Sequence, residues 1–205
     1  QPTLHKGSML AMYIKLLPGK TIRMNLAATK TYNADFDGDE MNVHAPSDPE
    51  CVIELKELSA TGKNLISPQS SKPNITIVQD ALVGNFLMTR DNYTMTRAQF
   101  FQISCKIRNI TIPNILKKIE HISKIFKLKG KSENPYTGKG LFSLVLPNDL
   151  NYESDNKAHP TEKVKIYKGV LYEGVINKAV LGSSHNSLIL IFNKEYSDKT
   201  AVNFI

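Results

Sequence analysis

The stretch Asn33-Ala34-Asp35-Phe36-Asp37-Gly38-Asp39-Glu40-Met41-Asn42 sets three aspartates at alternate positions around one glycine. That spacing limits the backbone that can use it. On a straight strand, rising about 3.3 Å per residue, Asp35 and Asp39 would stand roughly 13 Å apart, too far to share an ion whose ligand oxygens lie near ~2.1 Å. On a helix, two-residue steps would send neighbouring aspartates to nearly opposite faces. A curled loop brings all three carboxylates together, and Gly38 supplies the backbone freedom for the curl.

Three carboxylates held close repel one another and would otherwise bind protons, so the loop calls for a cation. Magnesium accepts a few carboxylates and keeps its other positions for water or substrate phosphate, which suits phosphoryl chemistry. The calcium-binding EF-hand pattern fails, because it needs glycine at its sixth place and glutamate at its twelfth; counted from Asp35, these are Glu40 and Pro46. Acidic, glycine-containing stretches are also commonly plain solvated turns, so the flanking residues decide the reading.

Outward from the loop, the chain of 205 residues is 41% hydrophobic and 22% charged, the balance of a packed chain rather than a disordered or collagen-like one. No apolar run approaches the roughly 20 residues that span a bilayer. Twenty-six Lys and Arg against 19 Asp and Glu give a net charge of +7, which favours a polyanionic partner. Cys51 and Cys105 form neither a zinc-type cluster nor a disulfide framework and are expected to be reduced and buried. The five histidines show no metal spacing, and the methionines, Met9, Met12 and Met24 among them, are expected as core filler. Opening on Gln1-Pro2-Thr3, without a leader, the stretch is expected to be an internal piece of a longer protein.

Met12–Leu17 and Thr21–Leu26 are short β-prone runs around Pro18-Gly19, which predicts a hairpin. Ser47-Asp48-Pro49-Glu50 predicts a helix start, with Val52, Ile53, Leu55 and Leu58 at helical spacing and Gly62 as the stop. Ser67–Pro73, rich in serine and proline, is the expected boundary between substructures. Thr96 is expected to cap a helix reaching Ile107, and Ile112, Ile115, Leu116, Ile119, Ile122 and Phe126 form the apolar stripe of another. The lysines between Asn109 and Lys131 read as its solvated face. Leu141–Leu146, Val164–Tyr167 and Ser187–Phe192 predict strands, and 148–163 an exposed loop.

Asn33-Ala34 before the aspartates and Glu40-Met41-Asn42-Val43-His44 after them extend the loop into a longer signature. With it the sequence resembles the largest subunit of multisubunit DNA-directed RNA polymerases, whose catalytic loop reads Asn-Ala-Asp-Phe-Asp-Gly-Asp. The resemblance continues in order through Gln1–Lys6, Thr21–Leu26, Ser67–Pro73, Val78-Gln79-Asp80, Tyr136–Lys139 and Leu141-Phe142-Ser143. Glu40-Met41-Asn42 resembles the archaeal and eukaryotic type. Lys6-Gly7-Ser8-Met9 and Pro18-Gly19-Lys20 look like members from large nucleocytoplasmic DNA viruses.

The resemblance implies an α+β fold. Residues 1–72 would form part of a double-psi β-barrel carrying the catalytic loop, and 73–205 a mixed helix and strand region lining the pore and beginning the funnel. It implies that Asp35, Asp37 and Asp39 hold Mg2+ as the catalytic residues and that Asn33 sits near the ribose of the incoming nucleotide or the RNA end. A second ion would arrive with the nucleotide. The implied partners are a DNA template, nascent RNA, ribonucleoside triphosphates, the second-largest subunit and other polymerase subunits, with no membrane. The family's sugar-reading arginine would precede Gln1, and its bridge helix and trigger loop would follow Ile205. Two other readings stay open: an RNA-templated polymerase of gene-silencing systems, with a related barrel, and a non-catalytic basic nucleic-acid-binding module with structural aspartates.

Overall fold

The structure, a computed structural model, describes residues 3–91, 93–108, 110–154 and 163–205. Gln1 and Pro2, and half of the loop expected at 148–163, lie outside the described residues. Internal packing divides the chain into two compact units: the residues up to Val78 together with Leu181–Ile205, and Gln79–Val180.

In the first unit, Asn25 accepts a hydrogen bond from the Ala27 amide at 2.8 Å and opens a tight turn over Leu26–Ala28, which runs into helix α1 (Thr29–Tyr32). Asp48 caps α2 (Pro49–Glu54), accepting from the Cys51 amide at 3.3 Å with Pro49 in the first turn, as expected from the sequence. The helix widens into a π turn at Leu55–Ser59, and the expected stop, Gly62, falls in the short 3-10 turn Thr61–Lys63 that follows. The Ser67–Pro73 stretch closes on itself, with the Ser67 amide donating to the Lys72 carbonyl and the Ser71 amide to the Ser67 carbonyl, both at 2.9 Å.

The hairpin expected at Met12–Leu26 does not form. The chain bends at Gly19, but its arms share no ladder, and the only pairings among the described residues up to Val78 are the single bridges Ala11 to Ala60 and Ile66 to Pro73. Tyr13 and Leu16 are 91% and 90% exposed. β-propensity expresses fit to a half-buried pleated surface, and these side chains have no such surface beneath them. The same shortage of covering layers corrects two more expectations: Cys51 and Cys105 are exposed free thiols, and Met9 and Met12 are exposed rather than core filler.

In the second unit, α3 (Gln79–Met88) is followed by α4 (Arg97–Ser104), which Thr96 and Gln99 start with a reciprocal capping box and which ends three residues before the expected Ile107. The stripe expected on the next helix is real: α5 (Ile112–Leu128) buries Ile115, Ile119, Ile122, Ile125 and Phe126 against Phe100, Leu141, Leu144 and Val170, while Ile112 and Leu116 stay exposed.

Leu141–Leu146 is not a strand. It belongs to α6 (Gly138–Ser143) and the turns after it, and Thr137 caps α6 by accepting from the Gly140 amide at 3.0 Å. The helix is buried along its whole length, so it carries no one-sided periodicity, and a short apolar run of that kind reads equally as strand. Gly138 also lets α6 start hard against the end of α3: a Cβ there would lie 1.8 Å from the Met88 carbonyl oxygen. Beyond α6 lies an antiparallel sheet in the order β1 (Tyr152–Glu153), β2 (Lys165–Tyr167), β3 (Val170–Glu173), so the polar 148–163 stretch contributes a short strand and β2 falls where expected. Lys168 (φ 47°) and Gly169 (φ 72°) make the two-residue turn between β2 and β3.

One lysine of α5 turns inward. Lys118 Nζ donates to the Leu144 and Leu146 carbonyls, both at 2.6 Å, and burial pulls its pKa down to about 8. The folded value lies below the ordinary 10.5, so between about pH 8 and pH 10.5 the unfolded chain binds more protons than the folded one. The expected outcome is that this group makes the unit more resistant to urea as pH rises through that window and that the gain is lost as pH falls through 8. Lys118→Met should remove that slope, and an unchanged slope would count against the buried amine.

After the second unit, α7 (Lys178–Leu181) leads back into the first, where α8 (Leu188–Ile191) and α9 (Asp198–Phe204) complete it. Ser187–Phe192, expected as a strand, is helical because Ser187 Oγ accepts from the Leu190 amide at 3.3 Å and starts a turn whose Leu188, Ile189 and Leu190 are all buried. Phe192 stacks edge-on against Phe204 at 4.7 Å between ring centres and against Tyr196 at 6.0 Å. The fold class is α+β; among the described residues helices outnumber strands, and the three strands form one small antiparallel sheet.

Candidate metal centre

Helix α1 aims the acidic loop. Its last residue is followed by Asn33 in the left-handed conformation (φ 49°, ψ 40°), whose amide returns to the Lys30 carbonyl at 3.3 Å, while the Ala34 amide bonds the Thr29 carbonyl at 3.1 Å. Asparagine tolerates that geometry better than most residues, and it turns the chain out of the helix into the aspartates. The second reversal is at Gly38, whose φ of 122° lies where side-chain-bearing residues are rarely found. Between these two points the Asp35 amide donates to Asp39 Oδ2 at 3.1 Å, tying the ends of the loop together.

Curled in this way, the loop brings together all three aspartates singled out from the sequence. One carboxylate oxygen from each of Asp35, Asp37 and Asp39 lies within 4.8 Å of the others, and all three residues are exposed. Among the described residues no other group of three His, Cys, Asp or Glu comes together like this. Asn33 opens the loop two residues before Asp35 and is exposed; Glu40 lies just past it and is outside the cluster. The electrostatic strain is visible at Asp35. A hydrogen bond with the Asp37 side chain, desolvation and the like charge of Asp37 together raise its carboxyl above its ordinary value.

The donor set fits a hard divalent ion. Adjacent ligands of octahedral magnesium sit about 3 Å apart when each is ~2.1 Å from the ion, so a set already within 4.8 Å closes on it by small rotations of exposed side chains. With no histidine or cysteine in the cluster, nothing favours zinc or a softer metal. Three protein oxygens also leave positions for water or for phosphate oxygens.

Sequence reasoning singled out the aspartates but passed over Lys118, whose place on a lysine-rich helix suggested a solvated face. Its i, i−3 relation to the buried Ile115 and its i, i+4 relation to the buried Ile122 were the available signal.

Comparison with known proteins covers nearly the whole chain. The family model described as RNA polymerase Rpb1, domain 2 matches residues 1–61, and that for RNA polymerase Rpb1, domain 3 matches residues 64–205. A probable DNA-directed RNA polymerase II subunit RPB1 homolog of Invertebrate iridescent virus 6 is 43% identical over 214 aligned residues, covering 100% of this chain and 20% of that protein. The DNA-directed RNA polymerase II subunits RPB1-A and RPB1-B of Trypanosoma brucei brucei are each 37% identical over 210, covering 98% of this chain and 11% of theirs. The chain thus spans a fifth or less of the length of these relatives. Matched in sequence order by both domain models, and with the acidic loop inside the first of them, the chain belongs to the RNA polymerase Rpb1 family.

Proposed function

We propose that this chain is the part of the largest subunit of a DNA-directed RNA polymerase that carries its catalytic carboxylates, and that the whole protein builds RNA on a DNA template from ribonucleoside triphosphates. The observation that carries this reading is the gathering of Asp35, Asp37 and Asp39 within 4.8 Å on a loop inside the segment matched as Rpb1 domain 2. The relatives' names, all DNA-directed, favour it over an RNA-templated enzyme or a bare binding module.

In this reading the three carboxylates hold Mg2+. When bound, the ion supplies positive charge to the attacking and leaving oxygens of nucleotidyl transfer. The chain's own task is to keep three negative ligands converged in water-accessible space, which the Asn33 and Gly38 reversals and the Asp35 amide to Asp39 bond accomplish. Asn33 contacts the ribose of the incoming nucleotide or the RNA end.

Residues 1–72 belong to a double-psi β-barrel, and 73–205 to the pore and the start of the funnel. The unpaired and exposed run from Met12 to Leu17 supports a barrel completed by chain and subunits beyond these residues. The second-largest subunit, other polymerase subunits, template DNA and nascent RNA are the partners. Among the described residues no helix is long and apolar enough to cross a membrane.

The test is primer extension by the assembled enzyme on matched DNA and RNA templates. Extension on DNA, its loss on chelation of divalent ions and its return with added magnesium are the expected results. Extension that survives chelation, or that proceeds only on RNA, would overturn the reading.

The lysines at the far end of α5 have little part in this chemistry. Lys127 pairs with Glu133 at 2.9 Å, and Lys129 lies over the Tyr167 ring at 4.2 Å. Neutralising Lys124, Lys127 and Lys129 together is expected to leave the extension rate nearly unchanged, with the salt dependence of DNA binding intact. Each lost phosphate contact would instead flatten that dependence by about one counterion.

A further inference from the structure

The second unit contains a groove of about 500 Å³ that the acidic loop does not share, bounded by Ile110, Asn114, Lys117, Lys118, His121 and Asn148. Asn114, Lys117, Lys118 and His121 stand at i, i+3, i+4 and i+7, one face of the first three turns of α5, and Asn148 faces them from the loop after α6. We propose that this groove binds a phosphate group, carried either by a free polyphosphate such as that of a nucleotide or by the backbone of a nucleic-acid strand.

Four observations converge on an anion. None of the six lining residues is acidic, so a negative ligand would meet no like charge on the walls. The lysines are available: Lys127, Lys139, Lys163 and Lys165 are paired with carboxylates, whereas neither Lys117 nor Lys118 has a carboxylate partner among the described residues. The groove also runs along the first three turns of a 17-residue helix whose N-cap, Thr111, gives the first-turn amides no side-chain acceptor, and the helix dipole makes that end positive. Finally, part of the lining is held in place. Lys118 is fixed by two carbonyls at 2.6 Å, which use two of its three N–H bonds, and His121 Nε2 donates to the Lys168 carbonyl at 2.9 Å. A phosphate oxygen is what the remaining N–H of Lys118, the exposed Lys117 ammonium and the Asn114 amide recognise together.

The test is local, because a polymerase has many anion-binding surfaces. The full-length protein in its natural assembly, in metal-free buffer, is acylated with a small amine reagent, and the modification of Lys117 is read by peptide mass spectrometry. The reaction is run with inorganic pyrophosphate, with a short single-stranded RNA, or with sodium chloride at the same ionic strength. Lys124, further along α5 and outside the groove, is the internal control.

Lys117 reactivity is expected to fall in proportion to occupancy, to about half at half-saturation, while Lys124 stays unchanged. Protection by pyrophosphate assigns the site to free polyphosphates; protection by RNA alone assigns it to a strand backbone. Asn114→Asp sets a carboxylate in the groove at a first-turn position where acids favour the helix, so the fold should survive and the protection should vanish. The proposal fails if neither probe protects Lys117, if Lys124 or the sodium chloride reaction shows equal protection, or if Asn114→Asp leaves the protection intact.

Discussion

Replacing Asp37 with asparagine is expected to abolish RNA synthesis in the assembled enzyme while leaving subunit assembly and DNA binding in place. Asparagine nearly preserves the size of the side chain, and Asp37 is exposed, so no core packing is disturbed. What is lost is one negative charge and one strong oxygen ligand from a set of three. If the ion supplies several kcal/mol of transition-state stabilisation, its loss slows extension by roughly a thousandfold or more. Asp35→Asn and Asp39→Asn should act alike, and pairs of changes should cost little beyond single ones, because the ligands work as a unit. Manganese, which takes the same carboxylate, carbonyl and water oxygens, should restore part of the activity. Asp39→Asn has a further effect, since Asp39 Oδ2 also accepts the bond that closes the loop. The measurement is template extension beside a DNA-binding control. Near-normal extension by the Asp37 variant would remove the carboxylates from the chemistry, and loss of binding together with extension would make them structural.

Phe100→Ala is expected to have the largest effect on stability. Phe100 is fully buried, stacks edge-on with Tyr136 at 5.4 Å and Phe101 at 6.2 Å between ring centres, and belongs to the cluster that holds α5 and α6. Truncating such a ring costs about 3–5 kcal/mol, the transfer of the lost atoms plus the cavity left behind. Typical domains have only about 5–15 kcal/mol in total, so the second unit would open often. Amide hydrogen exchange over α4, α5 and α6 should accelerate sharply, and Phe100→Leu should show a smaller change in the same direction. Unaltered exchange would mean that the cluster does not depend on this ring. The contrast with Asp37 is in the readout: Phe100→Ala should reduce how much enzyme there is, not the rate of each intact molecule.

The parts of the fold that were legible in the sequence are those where a side chain touches the backbone close by or where one face alone is apolar. Asp48-Pro49 and Thr96 with Gln99 mark helix starts through local hydrogen bonds, and α5 carries a stripe that only a helix with one wet face produces. The acidic loop was legible for the same reason, because alternate aspartates around a glycine leave few backbone paths. Leu141–Leu146 and Ser187–Phe192 were misread because burial on all sides erases the period that separates helix from strand. Thr137 and Ser187, each capping the turn that follows, carried the missing signal. The Met12–Leu26 hairpin and the buried cysteines failed differently. Burial depends on what lies above a side chain, and the residues around Tyr13, Cys51 and Leu16 have nothing above them here.

The close approach at Gly138 divides the chain's glycines into two histories. Gly84, within α3, has open space where a side chain would go, and alanine there would suit the helix better than glycine does. Within this chain no neighbouring atom opposes a side chain at that position. At Gly138 the Met88 carbonyl already fills the place of the first side-chain atom, so none of the other nineteen residues fits without prising α3 from α6. No single step leads away from glycine there. A compensating change would have to move the backbone, which sequence drift at one site cannot do.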